Sequence, residues 1–175
     1  MIYEKFSSLI DYPQNEILSQ TEEMINMLAD KFPAAQTLVS DFIYGLKKKD
    51  LSFNQLQEHF THVFYVTPQC IPYATIQIFG AQGHKRAEFM AKVVQISQQL
   101  KFDIGQELPD HLTVLLRFIS VISKEEKREM IHSILLPSLS KMIEELDKVD
   151  GPYKYLYKAI EKTLEIDLRA EDKQC

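Results

Sequence analysis

The stretch GQELPDHLTVLLRFISVIS, residues 105–123, decides the fold of this chain, because it joins a polar loop to a helix with almost no solvated face. From Leu112 onward nearly every residue is apolar, and the polar residues Thr113, Arg117 and Ser120 fall on one narrow stripe at helical spacing. A helix that is apolar nearly all round is normally buried among other helices. The stretch therefore predicts a buried central helix.

The loop that leads into this helix, residues 107–111, carries more chemistry than most connectors do. Pro109 fixes its own φ, and Asp110 stands where a helix N-cap is expected. Glu107 and His111 lie close to the same helix start, where negative charge is favoured. The loop is either a good helix start with a solvated acidic flank or part of a binding site, and the residues alone leave both interpretations open.

Length and composition favour one helical domain. The chain has 175 residues, of which only 5 are glycine, and it shows few turn signals and no alternating hydrophobic pattern of any length. These features predict an all-α, single-domain helical bundle of about seven to eight helices around the buried central helix. We expect the domain to span residues 1–175, with a polar, frayed tail over residues 169–175.

Charge, cysteine content and apolar runs indicate the setting in which the protein acts. A net charge of −5 argues against a nucleic-acid partner, which usually meets a basic patch. Cys70 and Cys175 lack the spacing of a disulfide framework or a zinc site, so both are expected to be free thiols in a reducing compartment. Neither a signal peptide nor an apolar run of transmembrane length is visible, so we expect a cytoplasmic protein without direct membrane insertion.

Local signals predict where two helices begin and where one bends. Ser52 with Gln55, and Ser123 with Glu126, have the spacing of a capping box at a helix N-terminus. Pro137 lies inside the amphipathic pattern that follows the second of these starts, so a kink or break is expected there.

Aromatic residues crowd a charge-poor part of the chain, in which Glu58 is the single formal charge between Phe53 and Phe79. A long connector with prolines and glycines is expected over residues 65–83. The aromatic residues here are either core lining or the wall of a groove: Phe53, Phe60, Phe64, Tyr65, Tyr73 and Phe79. Loops tend to lie on surfaces and to carry function, which favours the groove for the two tyrosines.

The sequence contains no recognisable catalytic constellation. It has no glycine-rich phosphate loop and no GxSxG nucleophile turn. His59 and His62 are three residues apart on one helix, but no HExxH pattern or third metal ligand accompanies them. The residues alone indicate an acidic helical domain that binds a partner and is not an enzyme, with no cofactor or metal of its own.

Short motifs occur along the chain in a particular order. LIDYP at residues 9–13 resembles LLxYP, residues 56–64 resemble LQxxYxxxF, KRAEFM at residues 85–90 resembles RxRGxAM, ELPDHL at residues 107–112 is similar to ELPDYLP, and Pro152 with Tyr153 opens a last helix. This ordered set, which covers nearly the whole chain, resembles the nitrate reductase delta subunit (NarJ) family. The histidine at position 111 is closer to the EPxDH signature of the related TorD and DmsD chaperones.

The resemblance implies a chaperone dedicated to a molybdenum or tungsten oxidoreductase. Such proteins hold the catalytic subunit in the cytoplasm until its cofactor is inserted, and they bind its N-terminal segment, often a twin-arginine signal or a remnant of one. The implied partner is that catalytic subunit, and the implied oligomeric state is a monomer or a domain-swapped dimer. The alternatives are a structural subunit of an oxidoreductase complex and a nucleotide-binding enzyme.

The resemblance also implies which residues bind the peptide. The expected peptide-binding residues are Glu107, Asp110, His111, Phe60, Phe64, Tyr73 and Arg86, and Pro109 is the expected hinge. The two carboxylates pair with arginines of the peptide, since charge-assisted hydrogen bonds are the strong ones. The aromatic residues form an apolar wall, and the histidine tunes the site with pH or hydrogen-bonds the peptide backbone.

Overall fold

The computed structural model of the protein describes residues 2–48 and 52–172, and within them it forms nine separate helices and no strand. The predicted all-α class and single domain are confirmed. Ten α-helical and two π-helical segments make up the nine helices, because α4 runs on into the first π-helical segment, and α8 runs through the second into α9. None of the described helices is both long and apolar enough to cross a membrane.

In chain order the segments are α1 (Ile2–Leu9), α2 (Ile17–Leu28), α3 (Pro33–Lys48), α4 (Phe53–Thr61) with its π-helical continuation (His62–Val66), α5 (Ala74–Phe79), α6 (His84–Leu100), α7 (Leu112–Phe118), α8 (Lys124–Met130), the second π-helical segment (Ile131–Leu135), α9 (Leu136–Leu146) and α10 (Tyr153–Asp172).

The last helix, α10, is the main support of the core, and it packs chiefly against α3 and α9. Its predicted apolar stripe is buried along its whole length: Tyr153, Leu156, Tyr157, Ile160 and Leu164. The helix continues to Asp172, so the part of the expected frayed tail that the structure describes is helical instead. Residues 173–175, including Cys175, lie outside the described residues.

The predicted central helix is α7, and all its residues except Arg117 are buried. It packs against α1, whose Ser7 hydroxyl donates to the Thr113 carbonyl. The helix is shorter than predicted, because tight turns end it after Phe118 and leave Val121 45% exposed. The chain then starts the next helix, α8, with Ser123 as its N-cap.

The predicted helix starts at Ser52 and Ser123 are confirmed. Each serine side chain accepts the main-chain N–H three residues later, and Gln55 or Glu126 reaches back to the serine N–H. Both ends of the capping box are therefore satisfied, as the sequence spacing predicts.

The predicted irregularity at Pro137 takes the form of the second π-helical segment, directly before α9. A proline in a helix cannot donate to the carbonyl four residues earlier, here that of Ser133, and its ring crowds that carbonyl. Widening the preceding turn relieves this conflict while the helix continues.

One helix that was not predicted, α5, lies inside the stretch predicted to be a long connector. Its first two residues, Ala74 and Thr75, are buried, and this anchors a segment with weak helical signals of its own. Gly80 ends the helix with φ of 80°, a conformation that favours glycine.

A partly buried charge cluster joins α10 to α1, to α8 and to the turn between α2 and α3. Asp167 accepts a hydrogen bond from the Tyr3 hydroxyl (2.5 Å) and lies 2.8 Å from Lys31 Nζ and 3.4 Å from Lys127 Nζ. Burial alone would raise the pKa of Asp167, but hydrogen bonds from Lys31 and Tyr3 and the charge of Lys127 hold that pKa below its usual value. The carboxylate is therefore ionised and stabilises the folded state at neutral pH.

Candidate functional site

Two non-helical segments meet at the start of α7: the connector before α5 and the loop of residues 107–111. The Ala74 N–H donates to the Asp110 carbonyl (2.8 Å), and the Leu112 N–H donates to the Pro72 carbonyl (2.9 Å). These bonds lie on either side of Tyr73 and His111. Tyr73 and His111 thus form an antiparallel bridge as a non-hydrogen-bonded pair, an arrangement that brings side chains close together. The His111 N–H also donates to the Leu108 carbonyl (2.9 Å) and closes a turn over Pro109.

The Asp110 side chain is fully buried and joins three parts of the chain. Its carboxylate lies 2.8 Å from Nε and 3.3 Å from Nη2 of Arg86 on α6, and it accepts the hydroxyl of Thr75 on α5. The guanidinium that Asp110 binds here is the chain's own, although arginines of a peptide were the expected partners. Arg86 is likewise only 14% exposed in its side chain. Both residues therefore fix α5 and α6 against the loop.

The residue that caps α7 is His111, so the prediction that Asp110 caps it is wrong. His111 Nδ1 accepts the N–H of Thr113 (3.4 Å) and lies 2.6 Å from the Thr113 hydroxyl. The imidazole is 3% exposed and packs edge-to-face with the Tyr73 ring at 5.0 Å between centroids. Burial lowers the pKa of His111, although the charges of Glu107, Asp11 and Asp110 act in the opposite direction. The ring is therefore neutral at pH 7.

Phe60 and Phe64, expected in the wall of the site, lie beneath the surface. They are 2% and 5% exposed and pack edge-to-face with Tyr153, at 5.4 Å between centroids in both cases. On its outer side Phe60 contacts two half-exposed rings, those of Tyr12 (5.7 Å) and Tyr65 (5.8 Å). The two phenylalanines therefore support an aromatic surface that the tyrosines present to solvent.

Exposed apolar side chains occur beside these tyrosines in the chain and in the loop before α7. Tyr12 is 42%, Tyr65 47% and Val66 70% exposed, and Leu108 of the loop is 47% exposed. Tyr65 and Val66 belong to the first π-helical segment, and such segments are frequent at functional sites. Beside them lies a hollow of about 440 Å³, lined by Tyr12, Asn54, Gln57, Glu58, Thr61, His62 and Val66.

Two carboxylates lie at the edge of this apolar surface. Neither Asp11 nor Glu107 forms an ion pair with a described residue, and Glu107 accepts only the Tyr73 hydroxyl (3.2 Å). Partial burial, followed by the charges of Glu107 and Asp11, raises the pKa of Tyr65 to about 12. Burial and Glu107 likewise raise the pKa of Tyr73. The carboxylates and the tyrosines therefore share one electrostatic environment.

We call this region the acidic aromatic surface, and it consists of Asp11, Tyr12, Tyr65, Val66, Tyr73, Glu107 and Leu108. Unpaired carboxylates beside aromatic faces attract a cation, and the exposed apolar side chains suit apolar residues next to that cation. Among the described residues, no group of three or more His, Cys, Asp or Glu side chains is arranged to hold a metal ion. The charges and exposed rings suit a basic, partly apolar ligand.

Glu107 and Tyr73 were predicted to bind the peptide, and Tyr65 was favoured as part of a groove wall. Four residues of this surface were not predicted: Asp11, Tyr12, Val66 and Leu108. Asp11 and Tyr12 lie in the LIDYP motif, and that motif could have indicated that they belong to the site. Tyr65 and Val66 follow Phe64 directly, so on a helix they point away from the face that buries Phe64. Their exposure follows from that buried face, and it could have been predicted.

A profile described as "Nitrate reductase delta subunit" matches residues 15–153, which is most of the chain. The chain therefore belongs to this family, and the resemblance seen in its motifs is confirmed. LIDYP lies just before the matched range. No curated protein matches the sequence.

The family is known as one of assembly chaperones, accessory proteins that are not themselves a catalytic family. Membership implies association with a subunit of a nitrate reductase-like oxidoreductase.

Proposed function

We propose that this member of the nitrate reductase delta subunit family binds the N-terminal segment of the catalytic subunit of a molybdenum or tungsten oxidoreductase. The segment is basic and apolar, like a twin-arginine signal, and it docks on the acidic aromatic surface. The protein holds the catalytic subunit in the cytoplasm before cofactor insertion and export, and it carries no cofactor itself.

The carboxylates of Asp11 and Glu107 have no ion-pair partner among the described residues, and they lie beside half-exposed aromatic rings. This observation carries the proposal. Carboxylates in a partly apolar setting form strong charge-assisted hydrogen bonds with a guanidinium, and tyrosine faces attract the same cation. A lysine or arginine of the segment lies between Glu107 and Tyr65 in this arrangement. Other cations of the segment lie near Asp11.

The apolar part of the segment covers Tyr12, Val66 and Leu108. Contiguous exposed apolar side chains on a soluble protein mark interaction sites more often than isolated ones do. Four of the nine large apolar side chains that are exposed among the described residues fall on this one surface.

Five other expected site residues support this surface from behind. Phe60 and Phe64 form its floor, and the Asp110–Arg86 pair fixes the loop that presents Glu107. Pro109 lies in the turn of that loop, where a hinge motion changes the distance between Glu107 and the tyrosines. These residues act on the peptide through the positions of others.

The test is a calorimetric titration with a synthetic peptide that has two adjacent arginines followed by a leucine-rich run. Glu107→Gln removes a charge-assisted bond and should weaken binding about threefold to tenfold. Tyr65→Ala removes an aromatic contact and should weaken binding by a similar or larger factor, about tenfold.

Two controls make the titration specific. Tyr44 is 64% exposed and borders a different hollow, formed with Gly151 and Pro152, so Tyr44→Ala should leave binding unchanged. A peptide with glutamine in place of both arginines should bind more weakly to the wild-type chain. Equal binding of both peptides, or full binding by the Glu107→Gln and Tyr65→Ala variants, contradicts the proposal.

Affinity capture from the native cytoplasm, with mass spectrometry of the bound proteins, identifies the client. Recovery of a cofactor-free catalytic subunit supports the chaperone role. Recovery of the mature enzyme in a fixed ratio indicates a structural subunit instead.

A further inference from the structure

The tautomer of His111 follows from its contacts. A main-chain N–H can only donate, so the Nδ1 atom that accepts the Thr113 N–H carries a lone pair. The Thr113 hydroxyl, 2.6 Å from the same nitrogen, is then also a donor to it. In a neutral imidazole the proton must lie on the other nitrogen, so His111 is the Nε2–H tautomer.

That Nε2–H group is buried and has no hydrogen-bond partner among the described residues. Buried polar groups are nearly always paired, so an unpaired donor next to the acidic aromatic surface indicates an acceptor supplied by a ligand. The groups around it limit the kind of acceptor. Asp11, Asp110 and Glu107 lie near enough for their charges to act on the ring, so a further carboxylate is repelled and a neutral carbonyl is favoured.

We propose that the Nε2–H of His111 donates to a main-chain carbonyl of the bound client segment, at a residue next to the cation that Glu107 binds. This inference rests on the proposed function, because it names what the same surface recognises besides charge. A segment in a regular α-helix has its carbonyls occupied by its own N–H groups. The donor therefore selects an extended stretch, or a helix end where carbonyls are free.

Tyr73 controls access to this donor. Its ring packs on the imidazole as the bridge partner of His111, and its hydroxyl is held by one hydrogen bond to Glu107 (3.2 Å). A peptide cation that binds Glu107 competes with that bond and frees Tyr73 to rotate. Binding of the cation and exposure of the Nε2–H are thereby coupled in one event.

Long-range ¹H–¹⁵N correlation NMR on histidine-labelled protein tests the inference directly. In the free chain His111 should show the pattern of a neutral ring protonated at Nε2. The twin-arginine peptide should shift the Nε2 proton downfield, since the proton gains an acceptor. A ring protonated at Nδ1, or an Nε2 proton that does not move in the peptide complex, overturns the inference.

Substitution provides a second test. His111→Asn keeps an acceptor suited to capping α7 and removes the Nε2 donor, so the unfolding midpoint should stay close to that of the wild type. Peptide binding should weaken about threefold to tenfold. His132 is exposed on the second π-helical segment, away from this surface, and His132→Asn should change nothing.

The outcomes separate this inference from the proposed function. If the peptide binds the wild-type chain and the His111→Asn variant equally well, the carbonyl contact is refuted while the proposed function stands. If the peptide does not bind the wild-type chain, both are refuted.

Discussion

Replacement of Asp110 by alanine should destabilise the fold. The carboxylate is fully buried and holds the Arg86 guanidinium at 2.8 Å, so its removal leaves a cation without its partner. Breaking a buried pair from one side costs about 3–5 kcal/mol. Arg86 is 14% exposed and partly recovers hydration, so we expect the lower end, about 3 kcal/mol. For a chain of this size that corresponds to a fall of about 6–12 °C in the unfolding midpoint.

Urea unfolding followed by far-ultraviolet circular dichroism measures this change. Adding Arg86→Met to the Asp110→Ala variant removes the unpaired cation and should recover about 1–2 kcal/mol. The matched control is the partly exposed pair of Lys158 with Asp147, at 2.7 Å, where Asp147→Ala should cost less than about 1 kcal/mol. If Asp110→Ala costs no more than Asp147→Ala, the buried pair does not fix the loop and the reasoning is wrong.

Three further changes test other parts of the fold by the same unfolding measurement. Leu115→Ala, at a fully buried position of α7, should cost about 2–5 kcal/mol, whereas Val121→Ala beyond the helix should stay within about 0.5 kcal/mol; equal effects would mean that α7 is not central. Gly151→Ala places a methyl group 2.4 Å from His59 Nε2 and should cost about 1–3 kcal/mol, and the cost should fall in a His59→Ala background. Asp167→Asn should lower stability at pH 7. Because the folded pKa of Asp167 lies below the ordinary value of 3.8, its contribution is complete above that pH and is lost as the pH falls through the folded pKa, so wild type and variant should converge in acid. A difference that persists unchanged at low pH would contradict that assignment.

The sequence predicted the features of the fold that depend on neighbouring residues. The two capping boxes need only a serine and a side chain three residues later, and both form as predicted. The burial of α7 follows from the number of apolar residues it carries, whatever surrounds it. The end of α7 was harder to predict. The apolar pattern continues past Phe118, but the chain turns there and starts a new helix after Ser123.

The candidate site depends on contacts between distant segments, and these could not be predicted. Asp110 and Arg86 are 24 residues apart, so the sequence showed two charged residues near helix starts but not their pairing. That pairing takes Asp110 away from the cap of α7 and leaves the position to His111. Glu107 differs from Asp110, because its position in a loop is enough to predict that its side chain reaches solvent. No contact with a distant residue had to be known.

Photo-crosslinking shows whether a basic, apolar client segment lies on the acidic aromatic surface. A photoreactive phenylalanine analogue replaces Tyr65 in one preparation and Tyr44 in another, and each is irradiated with the twin-arginine peptide. We predict efficient crosslinking from position 65, mapped by mass spectrometry to residues beside the arginines, and little from position 44. Equal crosslinking from both positions, or crosslinking from position 44 alone, would place the segment elsewhere and contradict the proposed function.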